Sequence, residues 1–91
     1  MDHIGQIICD IAVIKPLCNN EAQYAMDRSV AALHELRSNY RDNRDALITM
    51  AFWLFHDAYD RVYELHECVD EEDPLFRSMN SILERIEHLV A

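Results

Sequence analysis

Glycine, proline and cysteine are all scarce in this chain of 91 residues, which has one glycine, two prolines and three cysteines. So little glycine and proline argues against collagen, a flexible linker or an all-β chain built on many tight turns. Cys9, Cys18 and Cys68 form no C-x-x-C pair, and an odd number of cysteines cannot be fully bridged within one chain. Such a sparse set favours free thiols in a reducing compartment over a disulfide framework.

Long hydrophobic runs are also missing. The longest uninterrupted apolar run, Met50 to Phe55, has six residues, whereas a bilayer span needs roughly 20. The first residues include Asp2, where a signal peptide carries positive charge, and Asp10 interrupts the apolar stretch that follows. We therefore expect a cytoplasmic protein with no membrane segment.

Positive charge is the third scarcity, because 8 lysines and arginines stand against 17 aspartates and glutamates and give a net charge of -9. Phosphate contacts need a basic face, so this balance argues against direct binding of nucleic acid. Hydrophobic residues nevertheless make up 51% of the chain, which is too many for a disordered acidic tail. The composition is that of a small, acidic helical domain.

Apolar residues recur at three- and four-residue spacing in four segments, which predicts four helices over about 2–17, 21–38, 45–69 and 74–90. Asn20 is the expected N-cap of the second helix, and Asp42 or Asn43 that of the third. Asp73 followed by Pro74 is a strong start signal for the fourth. Short connections force neighbouring helices to pack, so we predict a single all-α domain over 1–91, a small four-helix antiparallel bundle.

Negative charge is concentrated in the third predicted helix and the loop after it. Residues 57–73 contain eight acids and one arginine, so seven of the nine net negative charges fall within 17 residues. Five of these acids are spaced so that they share one side of a helix: Asp57, Asp60, Glu64, Glu67 and Glu71, called here the acid stripe. Like charges one turn apart destabilise a helix, and a face needed only for solubility normally mixes signs.

The acid stripe continues towards the N-terminus through Trp53 and Met50. Tryptophan is enriched at the centres of binding surfaces, so Trp53 or Tyr63 could serve as the apolar anchor of a protein-binding face. Two plainer interpretations stay open at this point. The stripe could be an ordinary solvated face, and Trp53 could pack in the core, because the segment 46–55 is apolar nearly all round.

A second apolar row on the third helix allows another role. Ile48, Phe52, Phe55 and Tyr59, with Tyr63 at the end, lie beside the main core stripe of that helix. A chain of 91 residues has limited surface with which to cover both rows. The second row is therefore predicted to be either core or the contact of a homodimer, since such interfaces are commonly isologous.

Enzyme and metal motifs are missing from the sequence. The Glu-x-x-His pairs of di-iron bundles do not occur, and neither do clustered zinc ligands, a G-x-S-x-G nucleophile motif or a glycine-rich phosphate loop. We therefore predict no catalytic residue, metal or cofactor, and a protein that is not an enzyme.

These patterns together predict a non-enzymatic interaction protein. The acid stripe should dock on the basic surface of a nucleic-acid-processing protein and inhibit it, in the manner of immunity proteins, antitoxins and anti-CRISPR inhibitors. The alternative is a homodimeric adaptor or a regulatory subunit of the secretion-chaperone kind. The two expectations are compatible, because a dimer could also present the acid stripe.

Overall fold

The structure is a computed structural model that describes residues 3–38, 43–64 and 73–90, and these ranges are helical almost throughout. The helices are α1 (His3–Ile14), α2 (Asn20–Ser38), α3 (Arg44–Glu64) and α4 (Pro74–Glu87). One turn of 3₁₀ helix, Lys15–Leu17, follows α1, and another, His88–Val90, follows α4. The predicted all-α four-helix bundle is confirmed.

The helices are arranged in a ring, in which each packs against its neighbour in the chain and α1 also packs against α4. Two contacts fix the direction of α2 against α3: Arg61 pairs with Glu21, and the Ser29 hydroxyl meets the Ala51 carbonyl. The Tyr63 ring similarly meets Phe76, so the end of α3 lies beside the start of α4. These pairings are antiparallel, and in the ring α1 and α3 lie diagonally across from each other.

The ends of α1 and α2 differ from the prediction by a few residues. The α-helical part of α1 ends at Ile14 rather than at residue 17, because Pro16 has no N–H to donate and its ring clashes with the preceding turn. The N-cap of α2 is Asn19 rather than Asn20, since the Asn19 carbonyl accepts the first helical hydrogen bond from the Gln23 N–H at 2.9 Å.

The starts of α3 and α4 follow the predicted capping residues. Asn43 precedes α3 and accepts the hydrogen bond from the Leu47 N–H at 2.9 Å. Its φ of 57° is in the left-handed region, which asparagine tolerates better than most residues. The Asp73 carboxylate caps α4 by accepting from the Leu75 N–H at 2.9 Å. The predicted residues 65–69 of the third helix lie outside the described residues.

Small side chains line the contact between α2 and α3, which is the most extensive helix pair in the bundle. On α2 they follow the spacing of one helical stripe, and α3 adds two alanines; the buried set is Ala22, Ala25, Ser29, Ala32, Ala51 and Ala58. The Ser29 hydroxyl is completely buried and donates to the Ala51 carbonyl at 2.7 Å. Side chains of this size allow two helix backbones to approach closely, and the serine has a partner for its polar group.

Larger side chains from all four helices fill the rest of the core. The second apolar row of α3 contributes to it, because Ile48 is 1% exposed and Phe55 is 0% exposed. Phe52 and Tyr59 are partly buried and pack against the same cluster. Of the two roles predicted for this row, core packing is therefore the one that Ile48 and Phe55 have in the monomer.

Candidate protein-binding face on the third helix

The outward side of α3 carries apolar and acidic side chains together. Trp53 is 60% exposed, and Met50 and Tyr63 are about half exposed. Asp57 and Asp60 are exposed on the same side of the helix. These five residues are called here the outer face of α3. The interpretation in which Trp53 packs inside the core is wrong.

The Trp53 indole is held against its own helix by two neighbouring rings. Its ring centroid lies 5.4 Å from that of Phe52, at an interplanar angle of 89°, which is the edge-to-face geometry that aromatic pairs favour. The centroid of His56 lies 5.5 Å from it on the next turn. The indole is therefore supported on one side while most of its surface faces solvent.

A row of rings continues from Trp53 to the start of α4. The His56 and Tyr59 rings are 6.4 Å apart, and the Tyr59 and Tyr63 rings are 6.2 Å apart. Tyr59 meets the buried Phe76 ring edge-on at 5.5 Å, and Tyr63 contacts the same phenylalanine at 6.3 Å. Tyr63 is thus anchored to the core at one edge, and it forms the C-terminal end of the outer face of α3.

Asp57 and Asp60 differ in their partners. The Asp57 carboxylate lies 3.6 Å from Arg61 Nε, and Arg61 Nη1 also pairs with Glu21 Oε2 of α2 at 3.1 Å. The Asp60 carboxylate lies 3.3 Å from His56 Nδ1, and no arginine or lysine of the described ranges pairs with it. Arginine therefore offsets part of the negative charge at Asp57, whereas the side chain beside Asp60 is the His56 imidazole.

The other three members of the acid stripe are only partly within the structure. Glu64 is the last residue of α3, and its side chain is outside the described residues. Glu67 and Glu71 lie wholly outside them. The structure therefore brings Trp53, Asp57, Asp60 and Tyr63 together on one side of α3, and the predicted roles of the three glutamates stay predictions.

A second exposed apolar surface, on α1, is absent from the sequence-based prediction. Val13 is 73% exposed and Leu17, in the 3₁₀ turn after α1, is nearly as exposed. The exposed residues beside them in the same two elements are uncharged: Cys9, Ala12 and Pro16. On its other side Val13 borders a cavity that Arg77 and Arg85 of α4 also line. Composition is the sequence signal that could have predicted this surface, because Asp10 is the one acidic or basic side chain between residues 3 and 14. The isoleucines of α1 recur at helical spacing and predict its buried side, but they do not predict that its other side is exposed and apolar.

The two cysteines within the described ranges are free thiols. Cys9 is exposed on α1. Cys18 is half-buried, and its thiol donates to the Ile14 carbonyl at a distance of 3.5 Å. Desolvation raises the pKa of the Cys18 thiol, so its reactive thiolate is disfavoured at neutral pH.

The chain matches no protein-family model, no curated protein and no solved structure at significance. Among residues 3–38, 43–64 and 73–90, no three histidine, cysteine, aspartate or glutamate side chains come together as a metal site. None of the helices described is long and apolar enough to cross a membrane.

Proposed function

We propose that this chain is a non-enzymatic binding protein whose outer face of α3 docks on the basic surface of a nucleic-acid-processing protein and inhibits it. The observation that carries the proposal is the 60% exposure of Trp53 next to the exposed carboxylates of Asp57 and Asp60. An apolar anchor beside exposed negative charge fits a partner surface in which lysines and arginines surround an apolar depression.

The two kinds of side chain have different roles in such a complex. Burial of the Trp53 indole supplies affinity, because removing apolar surface from water is favourable and tryptophan is a frequent hot-spot residue. The carboxylates accelerate the encounter and select a basic partner, since electrostatic complementarity acts mainly on association rate and specificity. The supported position of Trp53 against Phe52 and His56 reduces the entropy lost when the ring is immobilised.

We expect the partner to be inhibited because of the kind of surface that the acidic side chains of α3 fit. Proteins that process nucleic acid bind phosphates through lysine and arginine side chains. Carboxylates one helical turn apart, at Asp57, Asp60 and Glu64, would occupy the same side chains. Nucleic acid and this protein would then compete for one surface, so binding would block access to the substrate.

The test uses charge reversal with a matched control. The wild-type chain should retain a basic partner at low salt and lose most of it at about 0.5 M salt, where screening is strong. Asp60→Lys with Glu64→Lys should abolish capture at low salt. Glu84→Lys with Glu87→Lys makes the same charge change on α4 and should leave capture intact.

A competition completes this test. Duplex DNA or RNA added to the captured complex should release the partner, because the proposal assigns both ligands to one basic surface. Capture that resists both high salt and the α3 charge reversal would contradict the proposal. Equal loss with the α4 control would show that net charge alone, and not the outer face of α3, determines binding.

The second candidate is a homodimeric adaptor, and the exposed apolar side of α1 and of the 3₁₀ turn after it is the observation that favours it. Val13 and Leu17 are largely exposed there, whereas the second row of α3 is already used in the core at Ile48 and Phe55. We expect such a dimer to sediment at twice the monomer mass at micromolar concentration and to dissociate in the Val13→Asp variant. A species of 10.7 kDa under these conditions would exclude this candidate.

A further inference from the structure

We infer that an arginine side chain of the partner binds at the centre of the outer face of α3. It stacks on the Trp53 indole and directs its guanidinium to Asp60. The inference rests on the proposed function and makes its partner chemistry specific. It concerns one side chain of the partner, so it can fail while the proposed docking of a basic partner holds.

Helix geometry brings the required groups within reach of one another. Trp53 and Asp57 are four residues apart, a spacing that places their Cβ atoms about 5–6 Å from each other. Asp60 lies two turns from Trp53, and its carboxylate is 3.3 Å from Nδ1 of His56, whose ring centroid is 5.5 Å from that of the indole. A cation resting on the indole therefore has one carboxylate beside it and a second on the next turn.

Neither the indole nor the Asp60 carboxylate is occupied by an arginine or lysine from within the described parts of the chain. Arg28 lies over a different ring, that of Tyr24 on α2, with its guanidinium carbon 5.8 Å from the ring centroid. Arg61 is held by Asp57 and Glu21. The pairing of arginine with an exposed aromatic ring is thus present on α2, whereas the larger ring on α3 is open.

Arginine suits this arrangement better than lysine. Its guanidinium is flat, so it can stack on the indole and still direct N–H groups sideways to a carboxylate. The lysine ammonium is compact and strongly hydrated, and it gains less from the ring. The whole cation–π contribution at an exposed site corresponds to about two- to five-fold in affinity, so the preference for arginine over lysine is at most about five-fold.

Trp53 offers a direct readout because it is the only tryptophan in the chain. The full-length protein would be titrated at low salt with hexa-arginine, hexa-lysine and hexa-citrulline peptides. Binding would be followed by the indole N–H signal in NMR spectra and by tryptophan fluorescence. We expect hexa-arginine to shift the indole signal and to bind more tightly than hexa-lysine, by up to about five-fold, and hexa-citrulline not to bind.

Variants separate the specific site from general attraction to an acidic protein. Asp60→Asn should weaken hexa-arginine binding by about two- to five-fold, in line with the loss of one exposed charge pair. Glu84→Gln removes the same charge from the exposed surface of α4 and should leave the affinity unchanged. Trp53→Leu, followed by calorimetry, should remove the preference for arginine over lysine.

Three results would overturn the inference: equal affinities for the arginine and lysine peptides, equal effects of Asp60→Asn and Glu84→Gln, or binding that leaves the indole signal in place. None of them removes the proposed function, which is tested by capture of the protein partner with the α3 charge reversal and its α4 control. Failure of the arginine site and failure of the docking surface are therefore distinguished by different experiments, the peptide titration and the capture of the partner.

Discussion

Replacement of Phe55 by alanine is expected to lower the free energy of unfolding by about 3–5 kcal/mol, whereas Trp53→Ala should lower it by about 1 kcal/mol or less. The two aromatic residues are two positions apart on α3, but Phe55 is 0% exposed and Trp53 is 60% exposed. Truncation of Phe55 leaves a cavity in the core. Truncation of Trp53 removes its ring contacts with Phe52 and His56 and leaves the core filled.

Denaturant titration of both variants, followed by circular dichroism, measures this difference. The m-value of Trp53→Ala should equal that of the wild type, because the surface exposed on unfolding hardly changes. A loss of stability for Trp53→Ala as large as that for Phe55→Ala would mean that the indole is part of the core. The outer face of α3 would then lose its apolar anchor.

The second large effect is expected at the contact between α2 and α3. Ala51→Leu should lower the free energy of unfolding by about 1–3 kcal/mol, because extra methylene groups in a well-packed core force side chains and backbone apart. Ala51 is completely buried, and its carbonyl accepts the hydrogen bond from Ser29 at 2.7 Å. Separation of the two helices would lengthen that bond as well.

Ala31→Leu is the matched control, since it makes the same substitution at an exposed position of α2. Its stability should stay within about 0.5 kcal/mol of the wild type. Thermal or denaturant unfolding compares the two variants directly. A wild-type stability for Ala51→Leu would contradict the close approach of α2 and α3 on which the position of the outer face of α3 depends.

Regular periodicity and capping residues made most of the fold predictable from sequence. Ile7, Ile11 and Ile14 recur at helical spacing and are buried in α1. Asp73 and Pro74 start α4 as their types require. These signals are local, so they need no knowledge of the partner helices.

The small residues of the α2–α3 contact gave no comparable signal. Ala25, Ser29 and Ala32 are buried, yet alanine and serine are also common on helix surfaces. How closely two helices approach depends on the side chains of both helices, and this distance determines which residues are buried between them. Ser29 in particular is buried because Ala51 on another helix offers it an acceptor.

The sequence left the exposure of Trp53 undecided. The segment 46–55 is apolar except for Thr49, and one polar residue four positions before Trp53 is a weak signal for the outer side. Burial of Ala51 and Phe55 orients the helix, and Trp53 then faces solvent. The placement of Asp57 and Asp60 on one side of α3 followed from spacing, but the link from Asp57 through Arg61 to Glu21 required the three-dimensional arrangement.

The most direct test of the central claim, that the outer face of α3 is the binding surface, is the affinity of the purified partner for Trp53→Ala and Leu17→Ala. Each variant removes an exposed apolar side chain, one on α3 and one in the 3₁₀ turn after α1. Calorimetry should show binding about 30-fold weaker for Trp53→Ala, as for a hot-spot residue, and unchanged for Leu17→Ala. Wild-type affinity for Trp53→Ala, or an equal loss with Leu17→Ala, would contradict the claim.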